Sequence, residues 1–152
     1  MAYWRMQLHP DDSGNSAAHS AESLSAGFIG LDFAVPVGDL ELHDVASIPA
    51  HQRDYVAFAN KMDIGDRVLI ISHHFPFAVC TVAGPYNYIK RPVPQLGVWF
   101  RHFRAVQDVK YFADFKTNAR SWDQIKMTDT ISPLVNEGTA SLALIREMYG
   151  ET

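Results

Sequence analysis

The stretch GDRVLIISHHFPFAVCTVAG, residues 65–84, decides the fold class of this chain. A Gly-Asp turn precedes the continuous apolar run from Val68 to Ile71, and such a run is typical of a strand buried on both faces. After Pro76, the run FAVCTVAG is again rich in β-forming residues. The two runs therefore predict an antiparallel hairpin within a β-sheet.

Three further segments carry strand patterns. YWRMQLH (3–9) and LGVWFRHFRAV (96–106) alternate apolar and polar residues, and GFIGLDFAV (27–35) is an apolar run. Gly30 within that run indicates a bulge or a close approach by another group. We therefore predict an α+β fold built on a small, strongly bent mixed barrel of five or six strands. The expected strands lie near 3–9, 27–33, 66–73, 77–84 and 97–106.

The remaining segments are predicted to be helical or irregular. HQRDYVAFANKM (51–62) places apolar residues at helical spacing. Residues 109–117 and 120–126 have the composition of short helices. Ser132 followed by Pro133 is a typical helix start, with a later apolar stripe of Leu142, Ile145 and Met148. Residues 10–27 are polar and small, which predicts a long loop with at most a helical turn near 18–24.

The composition indicates one globular domain spanning 1–152. The chain has 152 residues, of which 47% are hydrophobic and 20% charged. It lacks a basic, apolar leader and any run of roughly 18 apolar residues, so we expect a soluble, cytoplasmic protein without a membrane partner. Cys80, the only cysteine, has apolar neighbours and is expected to be a buried, structural thiol.

Established catalytic patterns are absent from the sequence. It contains no GxxxxGK[ST], GxGxxG, HExxH or GxSxG motif. His73 and His74 are adjacent at a strand end, where successive side chains point to opposite faces, so they are unsuited to one metal ion. We therefore predict no catalytic residue, no metal site and no cofactor for this domain.

Aromatic side chains concentrate at the ends of the predicted strands, where a barrel opens. An aromatic pocket with a polar rim is suited to hold one flipped base, because stacking supplies affinity and the polar group reads the base edge. Packing in an ordinary core is the alternative explanation. The candidate pocket residues are Trp4, Phe28, Asp32, Phe33, Tyr86, Tyr88 and Trp99.

A basic cluster lies in the middle of the chain. The formal net charge of -4 argues against non-specific coating of nucleic acid, which depends on neutralising many phosphates. Lys90, Arg91, Arg101 and Arg104 nevertheless form a local group that is suited to phosphate contacts. A solvated protein edge is the equally weighted alternative.

The order of motifs resembles the EVE-like domains of the PUA-like superfamily, which are related to YTH and SRA readers. The resemblance rests on YWRMQLHP, GFIGLDF, GDRVLII, VAGPYNY, GVWFRHFRAV and TDTISPL, and it covers nearly the whole chain. PVPQLGVWF departs from the more basic approach that is typical before the last strand. The resemblance implies that Trp4, the segment from Phe28 to Phe33, Tyr86 and Tyr88 wall the pocket, and that Asp32 reads the base edge.

Two classes of function follow from the sequence. The first is a reader of a modified base, 5-methylcytosine or 5-hydroxymethylcytosine in duplex DNA, which flips that base into the pocket. The resemblance implies a recognition module of a modification-dependent restriction system, with a nuclease or NTPase as its effector. The second is a PUA-like RNA-binding or nucleotide-processing enzyme that uses His73, His74 or His102 as an acid or base. A reader binds modified duplex without turnover, whereas an enzyme consumes its substrate.

Overall fold

The computed structural model describes residues 1–8, 16–31, 38–42, 48, 53–72, 75–93, 100–112, 130–135 and 138–151. Seven strands and three helices lie within these ranges, together with one 3-10 turn at Leu40–Leu42. The strands are β1 Tyr3–Gln7, β2 Phe28–Leu31, β3 Arg67–Ser72, β4 Phe75–Val82, β5 Asn87–Tyr88, β6 His102–Tyr111 and β7 Ile131–Pro133. The helices are α1 Ser16–Ala26, α2 Arg53–Asn60 and α3 Ala140–Met148.

The strands form one mixed sheet in the order β2-β6-β4-β3-β1-β7. β1 and β3 pair in parallel, while the other pairs are antiparallel. The short strand β5 pairs with the first residues of β6, opposite β2. This arrangement confirms a mixed α+β fold with a curled sheet flanked by helices.

The central strand β3 is buried on both faces, as its continuous apolar run predicts. Val68 and Ile70 belong to the inner core beneath α1 and α2. Leu69 and Ile71 belong to an outer core, which α3 covers with Ile145. The hairpin of β3 and β4 therefore supplies apolar side chains to two layers at once.

Helix α3 and the residues after it are tied to the outer face of the sheet. Thr139 caps the helix by accepting a hydrogen bond from the Leu142 amide. The Arg67 guanidinium pairs with the Glu151 carboxylate and lies 4.0 Å from the centre of the Tyr149 ring. The Tyr149 hydroxyl donates to the Asp108 carbonyl at 2.8 Å. Charged and aromatic contacts therefore close the edge of the outer core.

The first, third and fourth predicted strands and the helix near 51–62 are confirmed, with ends that differ by at most two residues. The strand predicted at 27–33 is confirmed at Phe28–Leu31, and the next two residues lie outside the described ranges. Gly30 is the site of the expected close approach, since a Cβ there would lie 2.5 Å from the Phe100 ring.

The last predicted strand ends later than the sequence pattern indicates. The sequence pattern predicts an end at 106 and a helix over 109–117, but β6 continues to Tyr111. Asp108 has a φ of 51° and lies opposite the register shift between Val79 and Thr81. This irregularity interrupts the alternation that identifies a strand, which explains the wrong helix prediction over 109–111. Phe112, the next residue of that predicted helix, is not helical either, whereas residues 113–117 and the helix predicted over 120–126 lie outside the described residues.

The expected helix start at Ser132 and Pro133 is also wrong. These residues belong to β7, which pairs with β1 alone among the described strands, and α3 begins at Ala140. Proline is tolerated on such an edge strand because its missing N–H is not needed by a second neighbour. Ile131 in the same strand is buried in the inner core, which favours the strand over an early helix.

The loop predicted over 10–27 is wrong for most of its length, because Ser16–Ala26 forms α1. Ser20, Ser23 and Leu24 are buried where this helix packs against the sheet. Small side chains allow a helix to approach its neighbours closely, so this composition is compatible with a packed helix as well as with a loop.

Candidate functional site

Three ring side chains meet where β5 pairs with the start of β6. Tyr88 lies directly opposite His102 in the sheet, and their ring centres are 5.2 Å apart with planes tilted by 40°. Tyr86 stacks on His102 at 6.0 Å with an angle of 23°. We call Tyr86, Tyr88 and His102 the ring cluster. Tyr88 is half-buried, whereas Tyr86 and His102 are buried, so Tyr88 is the ring nearest to solvent.

The Tyr86 hydroxyl links the ring cluster to the Leu40–Leu42 turn. It accepts a hydrogen bond from the Leu40 amide at 3.0 Å, and it lies 2.7 Å from His102 Nδ1. Burial raises the pKa of Tyr86 to about 12, so its hydroxyl keeps its proton at neutral pH. Either the Tyr86 hydroxyl or His102 Nδ1 is the donor in this contact, depending on the imidazole tautomer.

Three of the four predicted phosphate contacts lie at the same end of the sheet as the ring cluster. The Ile89 amide donates to the Arg101 carbonyl at 2.8 Å, which continues the pairing of β5 and β6 by one residue. Lys90 and Arg91 follow at once and are exposed, and Arg101 is partly exposed. We call Lys90 and Arg91 the basic turn. The structure thus brings positive charge next to an aromatic cluster.

Arg104 differs from the prediction of a phosphate contact. Its side chain is buried, and its guanidinium donates to the carbonyls of Gly84 and Phe58 at 3.1 and 2.9 Å and to that of Met62. Burial lowers its pKa, while Asp63 and Asp66 act in the opposite direction. Arg104 therefore holds the end of α2 against the sheet, a favourable place for a cation because helix carbonyls converge there.

Trp4 also has a structural position. It is buried in the inner core, and its indole N–H donates to Asp66 Oδ2 at 3.0 Å. Asp66 further accepts from the Ala2 and Asp63 amides at 2.8 and 2.9 Å. The contacts of Trp4 correspond to the core-packing alternative that the sequence left open.

The remaining predicted pocket residues are either separate from the ring cluster or outside the described ranges. Phe28 contacts Phe103 edge to face, with ring centres 5.4 Å apart. In the sheet, Phe28 lies opposite Ala105, one residue from the positions that face the inner core. Asp32, Phe33 and Trp99 lie outside the described residues, as do His73 and His74 of the enzyme alternative.

The described residues contain no group of three or more metal-binding side chains of the His, Cys, Asp or Glu type. Cys80 is fully buried, as its sequence neighbours predict, and burial raises its pKa above the ordinary thiol value. A neutral, inaccessible thiol is a poor nucleophile.

Sequence reasoning did not find the roles of Leu40 and Asp66. Leu40 contacts Tyr86 through its backbone amide across 46 positions, and no side-chain pattern encodes such a contact. Asp66 has a weak signal in the sequence, since it follows a turn glycine with a φ of 96° and directly precedes the clearest strand. The sequence indicates His102 as a candidate acid or base and as a neighbour of the basic residues, but gives no sign that it belongs to an aromatic cluster.

Comparison with known proteins adds little. No protein-family model and no curated protein matches this chain. A crystal structure of a Pseudomonas putida protein, solved as a structural genomics target, has a TM-score of 0.44 and 12% identity over 97% of this chain and 98% of that chain. A similarity at this level carries no argument about function. None of the helices within the described residues is long and apolar enough to cross a membrane.

Proposed function

We propose that this chain binds nucleic acid and reads a modified base, most simply 5-methylcytosine or 5-hydroxymethylcytosine flipped out of duplex DNA. The observation that carries the proposal is the position of the ring cluster beside the basic turn. Tyr88 pairs with His102 in the sheet, and Lys90 and Arg91 follow Tyr88 within three residues. The resemblance to EVE-like domains in the order of sequence motifs supports the same reading, including a single PUA-like domain in the cytoplasm and a nuclease or NTPase effector.

The arrangement suits this chemistry for two reasons. A half-buried ring at the edge of an aromatic cluster offers one face to a base, and such stacking contributes on the order of 1–3 kcal/mol. Exposed cations next to it hold the phosphates on either side of the flipped nucleotide. In this proposal Tyr88 is the stacking ring, and Lys90, Arg91 and Arg101 supply the phosphate contacts.

Burial makes His102 a less favourable acid or base for the enzyme alternative. His102 is 1% exposed, and its Nδ1 is engaged with Tyr86. An acid or base must reach the proton that it transfers, directly or through one water molecule.

The test compares Tyr88→Ala with Tyr111→Ala in binding to a panel of modified and unmodified duplexes. Both tyrosines are partly exposed on the same sheet, but Tyr111 lies at the far end of β6 and contacts Phe77. We expect Tyr88→Ala to weaken binding of the modified duplex about tenfold or more, and Tyr111→Ala to leave it unchanged. Equal loss in both variants, or no preference of the wild type for any modified duplex, would contradict the proposal.

Salt dependence tests the basic turn separately. Removing one phosphate contact should flatten the slope of log affinity against log salt by about 0.9 for duplex DNA. We expect this change in Lys90→Ala and Arg91→Ala for modified and unmodified duplexes alike. Lys61→Ala removes the same charge from an exposed position at the end of α2 and should leave the slope unchanged.

A further inference from the structure

The Tyr86 hydroxyl is the point where three separate segments of the chain meet. It accepts from the amide of Leu40 in the Leu40–Leu42 turn, and it contacts His102 of β6. Tyr86 itself lies in the segment between β4 and β5. Leu40 is buried in the inner core, whereas Leu42, two residues later, is 85% exposed. The Tyr86 hydroxyl and the buried Leu40 side chain therefore both attach the turn to the sheet.

From the donors around this hydroxyl we propose that Tyr86 is a positioning residue. It holds His102 as the neutral, Nε2-protonated imidazole, and protonation of His102 releases the Leu40–Leu42 turn and weakens binding at the ring cluster. The effect on binding rests on the proposed function. The effect on His102 and on the turn does not.

The expected release follows from the number of hydrogen-bond donors around the Tyr86 hydroxyl in the two protonation states of His102. With neutral, Nε2-protonated His102, the Leu40 amide donates to the Tyr86 hydroxyl, and that hydroxyl donates to His102 Nδ1, so these three groups all have a partner. A proton on Nδ1 places two donors face to face across the 2.7 Å contact. The Tyr86 hydroxyl then has to turn its own proton elsewhere, and its partners within the described structure are these two alone. A buried donor without an acceptor is costly, so we expect the Tyr86 ring to shift and bring its hydroxyl to water, which breaks its contacts with both His102 and the Leu40 amide.

The surrounding charges act on His102 in both directions. Arg104 lies two residues further on the same face of β6, at a spacing of roughly 7 Å, and opposes a second positive charge. Asp63 and Asp66 interact with Arg104 and offset part of this effect. On the side of the turn, Asp39 and Glu41 interact with the Tyr86 hydroxyl, as does Tyr88 of β5. Because these charges act in opposite directions, we base the expected release of the turn on the mismatch of donors.

The proposal makes binding depend on pH in an unusual direction. The chain has seven histidines, and their protonation adds positive charge, which ordinarily strengthens binding to a polyanion. Release of the turn predicts the opposite. We expect affinity for the modified duplex to fall about fivefold between about pH 8 and about pH 5.5, the equivalent of one hydrogen bond lost.

The experiment follows the His102 imidazole by long-range ¹H–¹⁵N correlation spectra and the Leu40 amide by hydrogen exchange. Both are measured in the absence of nucleic acid. In the wild type we expect the protection factor of Leu40, corrected for the intrinsic pH dependence of exchange, to fall as His102 titrates. Tyr86→Phe removes the donor that favours neutral His102, so the titration midpoint should rise and Leu40 should be unprotected throughout.

Tyr149→Phe is the matched control. Its hydroxyl is also engaged in hydrogen bonds, with Asp108 and Thr81, but it belongs to the outer core. The His102 midpoint and Leu40 protection should not change in this variant. An unchanged or lower midpoint in Tyr86→Phe, or Leu40 protection that persists through the titration, would overturn the inference. If no duplex binds at either pH, the proposed function fails, while the two spectroscopic results still decide the role of Tyr86.

Discussion

At the scale of single residues, Arg104 shows how a basic side chain can serve the fold. Three backbone carbonyls, from Phe58, Met62 and Gly84, depend on its guanidinium. Arg104→Met keeps much of the apolar stem but leaves these buried acceptors without a partner, so we expect a loss of about 3 kcal/mol or more in the free energy of unfolding. Denaturant unfolding measures it. Arg91→Met, the same change at an exposed position, should cost far less, and equal costs would contradict this role.

The tyrosine hydroxyls give a prediction at alkaline pH. Burial raises the pKa of Tyr86 and of Tyr149 to about 12, above the ordinary value of about 10. The folded state therefore holds these protons more tightly than the unfolded state, and the stabilisation is complete below about pH 10. The free energy of unfolding should fall as the pH rises from about 10 to about 12. Tyr86→Phe should make this fall shallower, and an unchanged slope would show that Tyr86 titrates normally.

At the scale of elements, the pairing of β2 with β6 depends on Gly30. A Cβ at this position would meet the Phe100 ring and the backbone of His102, the residue that begins β6 and carries the imidazole of the ring cluster. We expect Gly30→Ala to lower the melting temperature by several degrees and to disturb the His102 signals. Gly138→Ala is the control, because a Cβ at that position has open space. We expect this variant to be neutral or slightly stabilising. Similar melting temperatures for the two variants would contradict the close approach.

The sequence predicts well those elements whose burial produces a local pattern of apolar residues. The run from Val68 to Ile71 identifies β3 because both of its faces are covered. β7 is not predicted from the sequence, because Ser132 and Pro133 match the local pattern of a helix start. They form a strand because they pair with β1, over 120 residues away in the chain. The end of β6 is missed for a similar reason, since its irregularity at Asp108 is defined by the partner strand β4.

At the scale of the whole molecule, the candidate site could be predicted in composition but not in geometry. Tyr86, Tyr88 and the basic turn lie together, because they are close in the chain and remain close in the fold. Trp4 and Arg104 have residue types that suit base stacking and phosphate contact, yet both are buried and hydrogen-bonded to structural partners. Sequence reports residue type and spacing, whereas the direction of a side chain depends on which segments the sheet brings together.

In the proposed function, a modified base leaves the duplex and stacks at the ring cluster. The most direct measurement places 2-aminopurine next to a single 5-methylcytosine or 5-hydroxymethylcytosine and records its fluorescence as protein is added. Unstacking of the neighbouring base predicts a saturable rise with the modified duplex, little rise with the unmodified one, and a much smaller rise with Tyr88→Ala at equal concentration. Unchanged fluorescence at saturating occupancy, or an equal rise for modified and unmodified duplexes, would contradict the account.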